Sequence, residues 1–312
     1  PKKIGGSREE AGLSRLRKHH IYLAIKEVHG ENNYPISALC KLGNVARAGY
    51  YKWLHRGISA NEQENMLIGE KIEEIHQQDP DKGYRRIRDD LERYHDIHVN
   101  DKRVLRICRK KDIKSTIKYS NHGCTRHASN PQFIAENVLH REFTADSPNE
   151  KWLTDVTEFK YYVGVEVHKV YLSAILDLYD RRIVSFVIRD RNDTPLVFDT
   201  FDQAVAANPD AHPLFHSDRG FQYTSRTFHA KLESAGMVQS MSRIGKCIDN
   251  GPMEGFWGIL KRECYYGRHF TDRESLIAMI EDYIGYYNTK RLQRKLGVVT
   301  PMEKHNNYYV AA

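Results

Sequence analysis

The sequence is poor in cysteine and spaces what it has badly for cross-linking. Five residues (Cys40, Cys108, Cys124, Cys247 and Cys264) make an odd number with no CxxC pair, which argues against a disulfide framework and against a Cys-rich zinc site. A reducing cytosol is the compartment expected from this usage. Long apolar runs are missing too. None approaches the roughly 18 residues of a membrane helix, and no charged-then-apolar signal segment opens the chain. The first residue is Pro rather than Met. PKKIGGS reads as an artificial boundary or the interior of a longer reading frame, so residues 1–7 are left out of the fold reasoning.

What is present suffices for two or three domains: 312 residues, 40% of them apolar. Lys and Arg number 48 against 41 Asp and Glu, a balance of +7, with 19 Tyr scattered among them. That mixture suits a polyanion such as DNA or RNA, although charge alone discriminates weakly.

The segment from Leu13 to Arg56 has a helical pattern. Within it, PISALCKLGNVARAGYYKWLHR reads as helix, turn at Gly43, then helix. Ile36, Leu39 and Leu42 would bury one face, and Val45, Tyr50, Trp53 and Leu54 another. An ordinary helical hairpin has the same spacing as a DNA-reading helix-turn-helix. The basic second helix, with Arg47, Lys52 and Arg56, favours DNA. A second helical block runs from Asn61 to about Lys111, broken at Asp79-Pro80 and Lys82-Gly83, and its second half again suggests paired short helices. Between Asp101 and Asn130 nine Lys and Arg face two Asp. Such a run is a solvated linker, a tracker of phosphates, or both. His122, Cys124 and His127 offer only three potential ligands in one Gly-containing loop, so a zinc site is not expected there.

From Lys151 the pattern becomes β-rich. KWLTDVTEFKYY, VEVHKVYLSAILDLYD and RRIVSFVIRD read as three antiparallel strands, with turns near Val163-Gly164 and Tyr179–Arg182. A helix from Pro195 to about Ala207 follows, capped by Asp193 or Thr194. Then come a short strand in HPLFHSD, a helix through Thr227 to Ser234, a strand in MVQSMS, and a long helix from about Asn250. The order βββαβαβα predicts a mixed α/β domain. The tail helix FTDRESLIAMIEDYIGYY would open with a capping box from Thr271 to Glu274 and bury Leu276, Ile280, Tyr283 or Ile284, and Tyr287.

Asp155 lies on the first of these strands and Asp218 at the carboxyl end of the fourth, where α/β sheets place functional groups. Glu254 begins the helix of NGPMEGFWGILKRE, where Asn250 suits an N-cap and Pro252 a first turn, and 35 residues separate it from Asp218. Three converging carboxylates repel one another and resist desolvation unless a hard cation neutralises them. Two Mg²⁺ or Mn²⁺ ions roughly 3.5 to 4 Å apart can hold a phosphodiester for in-line displacement. With 41 acids in the chain, spacing alone is a weak signal, and solvated surface carboxylates would produce it by accident.

The local contexts add specificity. WLTDVTEF, HSDRGFQYTS and DNGPMEGFWGILKRE resemble the DDE recombinases with a ribonuclease-H-like core. Within that group the chain resembles, over nearly its whole length, the transposases of the insertion-sequence-three family, specifically the catalytic half encoded by their second reading frame. The closing segment YYNTKRLQRKLGVVTP matches at Tyr287, Asn288, Arg291, Leu296, Thr300 and Pro301, while Gln293 stands where many relatives carry His.

The resemblance implies an α/β ribonuclease-H-like catalytic core, a mixed five-stranded sheet flanked by helices, preceded by all-α helix-turn-helix modules. The expected domains are a helix-turn-helix module over 8–60, a second small helical DNA-binding module over 61–115, a basic linker over 116–145, the catalytic domain over 146–270 and a helical tail over 271–312. Asp155, Asp218 and Glu254 become the catalytic metal ligands for two Mg²⁺ ions, replaceable by Mn²⁺. Lys261, seven residues beyond Glu254, resembles a basic position used against DNA near the cut. Arg47, Lys52, Arg109, Lys110, Lys111 and Arg219 complete the expected DNA contacts. For His216, beside Asp218, the choices are a DNA contact, support of a ligand, or simple packing. Asp177, Asp180 and Glu158 are expected outside the metal shell. The expected partners are double-stranded transposon ends and target DNA, with a homo-oligomer, at least a dimer, pairing two ends in the bacterial cytoplasm at the nucleoid, and no membrane. The rivals are an integrase or plain nuclease on the same core, and a DNA-binding regulatory protein whose integrase core is inactive.

Overall fold

A computed structural model describes residues 4–117, 131–244 and 246–311, and the side chains from residue 18 onward except that of Cys247. The chain divides into two compact units, Pro1–Ile68 and Gly69–Ala312.

The first unit holds α1 (Ile4–Asn32), α2 (Ile36–Leu42), α3 (Arg47–Leu54) and the start of α4 (Ala60–Gln78). Ile25, Cys40 and Tyr50 form its centre, with Ile36, Leu39, Val45, Trp53 and Leu54 packed around them. Leu42 departs from expectation and is 86% exposed. Its neighbour Gly43 makes the close approach to α1 instead: a β-carbon there would meet Ile21 Cγ2 at 2.7 Å.

In the second unit, α5 (Tyr84–His95) and α6 (Asp101–Lys110) form a helical pair that buries Ile87, Leu91, Val104 and Ile107. The Asn100 side chain caps α6 by accepting from the Lys102 backbone N–H. The remaining strands make a single five-stranded sheet. β1 (Lys151–Val163), β2 (Glu166–Asp177) and β3 (Ile183–Arg189) are an antiparallel meander. β4 (Leu214–Ser217) and β5 (Val238–Met241) run parallel to β1, giving the order β3-β2-β1-β4-β5. This is the mixed, helix-flanked sheet of a ribonuclease-H-like core.

Alternation along β1 explains the layering, because successive side chains face opposite sides of a sheet. Trp152 faces the side covered by α7 (Thr194–Ala207) and α8 (Arg226–Ser234), among Val197, Phe201, Phe215 and Phe228. Leu153 faces α9 (Gly251–Leu260) and α10 (Arg273–Thr289), among Met253, Phe256, Leu276 and Ile280. A last helix, α11 (Pro301–Ala311), closes the unit.

Two local expectations need correction. The helical run after Asn250 is not α throughout, since α9 passes directly into a π turn at Lys261–Tyr265. The cap of α10 is Asp272, whose carboxylate accepts from the Ser275 backbone N–H at 2.7 Å, rather than a box from Thr271 to Glu274. The geometry moves the boundary by one residue, and the Asp272 carboxylate takes the capping position.

Candidate active site

Parallel pairing sets Leu153 of β1 opposite His216 of β4. Asp155 and Asp218 each follow two residues later, Asp155 still within β1 and Asp218 just past the end of β4, so they stand at the same level on neighbouring strands, which lie about 4.8 Å apart. Glu254 approaches on α9. Asn250 occupies the N-cap position without capping; its Nδ2 donates instead to the Thr154 carbonyl at 3.0 Å and ties the start of α9 to β1. One turn beyond Glu254, the Trp257 indole N–H donates to Asp155 Oδ2 at 3.0 Å.

Asp218 is oriented by its own loop. The Gly220 backbone N–H donates to Asp218 Oδ1 at 2.8 Å. A β-carbon on Gly220 would lie 3.0 Å from that same oxygen and 3.2 Å from Gln222 Oε1, which explains a glycine at this point.

The Asp155 carboxyl is pushed up to about 8, first by burial among protein atoms, then by the charge of Asp218 and, less, of Glu254. The N–H bonds from Val156 and Trp257 pull the other way without prevailing. Among the described residues no group of three His, Cys, Asp or Glu side chains is already drawn to metal-ligating spacing. The three acids therefore share an electrostatic field rather than a closed cage. Hard carboxylate oxygens raising one another's proton affinity are the donor set that suits Mg²⁺ or Mn²⁺.

Around this cluster the second strand pair is braced by polar contacts. His216 is fully buried, its Nδ1 2.9 Å from Ser240 Oγ and its Nε2 3.1 Å from Ser242 Oγ. Burial lowers its pKa to about 4, which keeps the ring neutral between the two serines. Arg219 Nε donates to the Ser242 carbonyl at 2.8 Å. Buried Asp249, not among the residues expected at the site, receives Arg243 and Arg141 at 2.9 and 2.6 Å just ahead of α9. The Arg243 hydrogen bonds keep its carboxyl well below the usual range.

The rival acids have other work. Asp177 Oδ1 accepts from the Tyr179 backbone N–H and Asp180 Oδ1 from that of Arg182, which builds the β2–β3 turn, while Asp177 Oδ2 accepts from the Asn149 backbone N–H ahead of β1. Glu158 pairs with Lys169 at 3.0 Å. Lys261 begins the π turn, with its ammonium 5.1 Å from the Phe159 ring centre. Arg47 and Lys52 are exposed on α3 in the first unit, and Arg109 and Lys110 are exposed at the end of α6 in the second. Lys111 is held by Glu73 at 2.8 Å. The His122–His127 loop lies outside the described residues.

Family comparisons agree with this architecture. The integrase core domain family matches residues 145–247, a second integrase core domain family matches 254–307, and an HTH-like domain matches 62–120. InsK of insertion sequence element IS150 from Escherichia coli K12 is 36% identical over 279 residues, 89% of this chain and 95% of that protein. Transposase InsF for insertion sequence IS3A, from the same strain, is 29% identical over 91% of this chain and 98% of its own length. The chain belongs to the insertion-sequence-three family of transposases. Among solved structures, the HTLV-2 integrase catalytic core domain in complex with magnesium aligns with 52% of this transposase at 19% identity and a TM-score of 0.40. The HTH-like match covers the α5–α6 pair, and the two integrase-core matches flank the loop that leads into α9.

Among the described residues of the transposase, no helix is long and apolar enough to cross a membrane. The contact that sequence reading missed at the site is the one from Trp257. Its only signal was position: three residues after Glu254 on a helix, and so on the same face.

Proposed function

We propose that this transposase cuts DNA at the 3′ ends of its element and joins the freed hydroxyl to target DNA, with Asp155, Asp218 and Glu254 as the acid triad. The observation that carries the reading is geometric: Asp155, inside β1, and Asp218, just past the end of β4, stand level on paired parallel strands, and the charge of Asp218 helps raise the Asp155 carboxyl. Left to itself such a group is costly, and only a cation makes it an asset.

Two Mg²⁺ ions, or Mn²⁺, would be held by these three carboxylates and would supply charge neutralisation and oxygen activation for in-line displacement at phosphorus. The protein's own contribution is placement. Asp155 presents its oxygens from β1 and Asp218 from just past the end of β4, and Glu254 is supplied from the first turn of α9. Lys261, on the same helical run, is assigned to a DNA phosphate near the cut. Recognition of the terminal inverted repeats falls to the helical modules, with Arg47 and Lys52 on α3 and Arg109 and Lys110 on α6 as phosphate or base contacts. Lys111 and Arg219, already engaged with Glu73 and Ser242, make the weaker claims. Cutting and joining two ends together calls for at least a dimer.

The test is strand transfer on a labelled duplex carrying the element's own end, with Mg²⁺, Mn²⁺ or chelator. Metal-dependent cleaved and joined products are expected from the wild type. The Asp218→Asn variant should bind the same duplex and yield neither. Binding without cleavage or joining in either metal would favour a DNA-binding regulator on an inactive core.

A further inference from the structure

We infer that Trp257 is a positioning residue for Asp155: its indole N–H fixes the plane of that carboxylate for the metal. The inference rests on the proposed metal-centre reading and adds a residue that no acid triad includes.

Three observations carry it. The bond is short and direct, 3.0 Å from Nε1 to Oδ2, between residues 102 positions apart in the chain. The ring cannot drift, because Trp257 is 7% exposed and packs on Phe256 at 5.0 Å between centroids within the core beneath the sheet. Finally, Trp257 stands three residues after Glu254 on α9, so one helix face delivers both an acid and the donor that aims the other acid. Asp218 needs no such help, since the Gly220 N–H orients it from within its own loop.

The chemistry of the donor matters. Rotation of an aspartate carboxylate about its last bond is soft, so an unheld group presents its oxygens in a spread of orientations. An indole N–H donates once, and its nitrogen lone pair is tied up in the aromatic ring, so it does not itself become a ligand. It also carries no charge. A Lys or Arg in its place would neutralise Asp155, as Arg243 does Asp249, and would compete with the cation. A neutral donor orients the acid and leaves its charge for the metal.

The sequence has three tryptophans, Trp53, Trp152 and Trp257, so ¹⁵N-indole labelling of the full chain gives three resolvable N–H signals. The signal lost in Trp257→Phe identifies Trp257. On Mg²⁺ titration of the wild type that signal should shift and saturate, with Trp53 unmoved. Mn²⁺ binding followed by electron paramagnetic resonance should weaken roughly tenfold or more in Trp257→Phe, the usual scale for a residue that orients a metal ligand. Duplex binding in chelator should stay near wild type, while the unfolding midpoint should fall modestly because ring volume is lost from a packed core. An Asp155→Asn variant that binds Mn²⁺ like the wild type would sink the metal-centre reading and this inference with it. Loss of binding in Asp155→Asn but wild-type affinity in Trp257→Phe would overturn the Trp257 role alone. Should Trp257→Phe fail to fold, a Trp257 signal that stays still while Mg²⁺ saturates the wild type would overturn it equally.

Discussion

Glu254 and Glu263 lie nine positions apart on one helical run, and they live in opposite electrostatic worlds. Glu263 is buried with Arg291 at 2.8 Å, Arg86 at 3.1 Å and the Tyr283 hydroxyl at 2.7 Å. Burial pushes its carboxyl up, yet the hydrogen bonds and charge of Arg291 outweigh that and hold it below the ordinary carboxylate range. Glu254 is exposed, and its charge is one of those raising Asp155. An acid that serves the fold is given a guanidinium; the acids proposed for chemistry are given one another. The former stabilises only as a complete pair, whereas the latter is a standing cost that a cation removes.

The largest effect should come from the second kind of acid. Glu254→Gln should lower strand cleavage by about a thousandfold or more, as expected from losing several kcal/mol of metal-mediated stabilisation, and leave the unfolding midpoint in chelator unchanged or raised. Arg291→Ala should do the reverse. It leaves Glu263 buried without its nearest guanidinium, a loss of about 3 to 5 kcal/mol that urea unfolding would register. A mild effect of Arg291→Ala on stability, or a severe one of Glu254→Gln, would erase the distinction.

The same comparison predicts a pH dependence. The folded pKa of Glu263 lies below its ordinary value of 4.5. Its contribution to stability is therefore present above that value and is lost as pH falls through the folded pKa. Melting curves taken downward from about pH 6 should fall less steeply in Glu263→Gln than in wild type, from a lower starting point. Smaller still, Arg109→Ala should weaken duplex binding evenly across sequences and reduce the salt slope by about one, the mark of a phosphate contact. A loss confined to one base position would make Arg109 a base reader instead.

Much of the catalytic unit could be read from the chain because its signals are local. Asp155, Asp218 and Glu254 sit in short contexts, and the strands around them alternate cleanly with Trp152 and Leu153 on opposite faces. Contacts between distant elements could not be read in this way. Arg294 reaches Asp89 and Asp101, each at 2.8 Å, across 205 and 193 positions, and joins the α5–α6 pair to the segment after α10. No periodicity encodes such a register. The Trp257–Asp155 bond escaped for the same reason. Local errors had local causes: Asp272 outcompeted Thr271 as a cap, and Gly43 took the close contact that would have buried Leu42.

The claim that the triad is a like-charge cluster awaiting a cation is tested most directly by thermal unfolding of wild type and Asp155→Asn, each in chelator and in Mg²⁺. The account predicts that Asp155→Asn in chelator is at least as stable as wild type, and that Mg²⁺ stabilises the wild type saturably while leaving the variant unmoved. A variant less stable than wild type in chelator, with the same response to Mg²⁺, would contradict it.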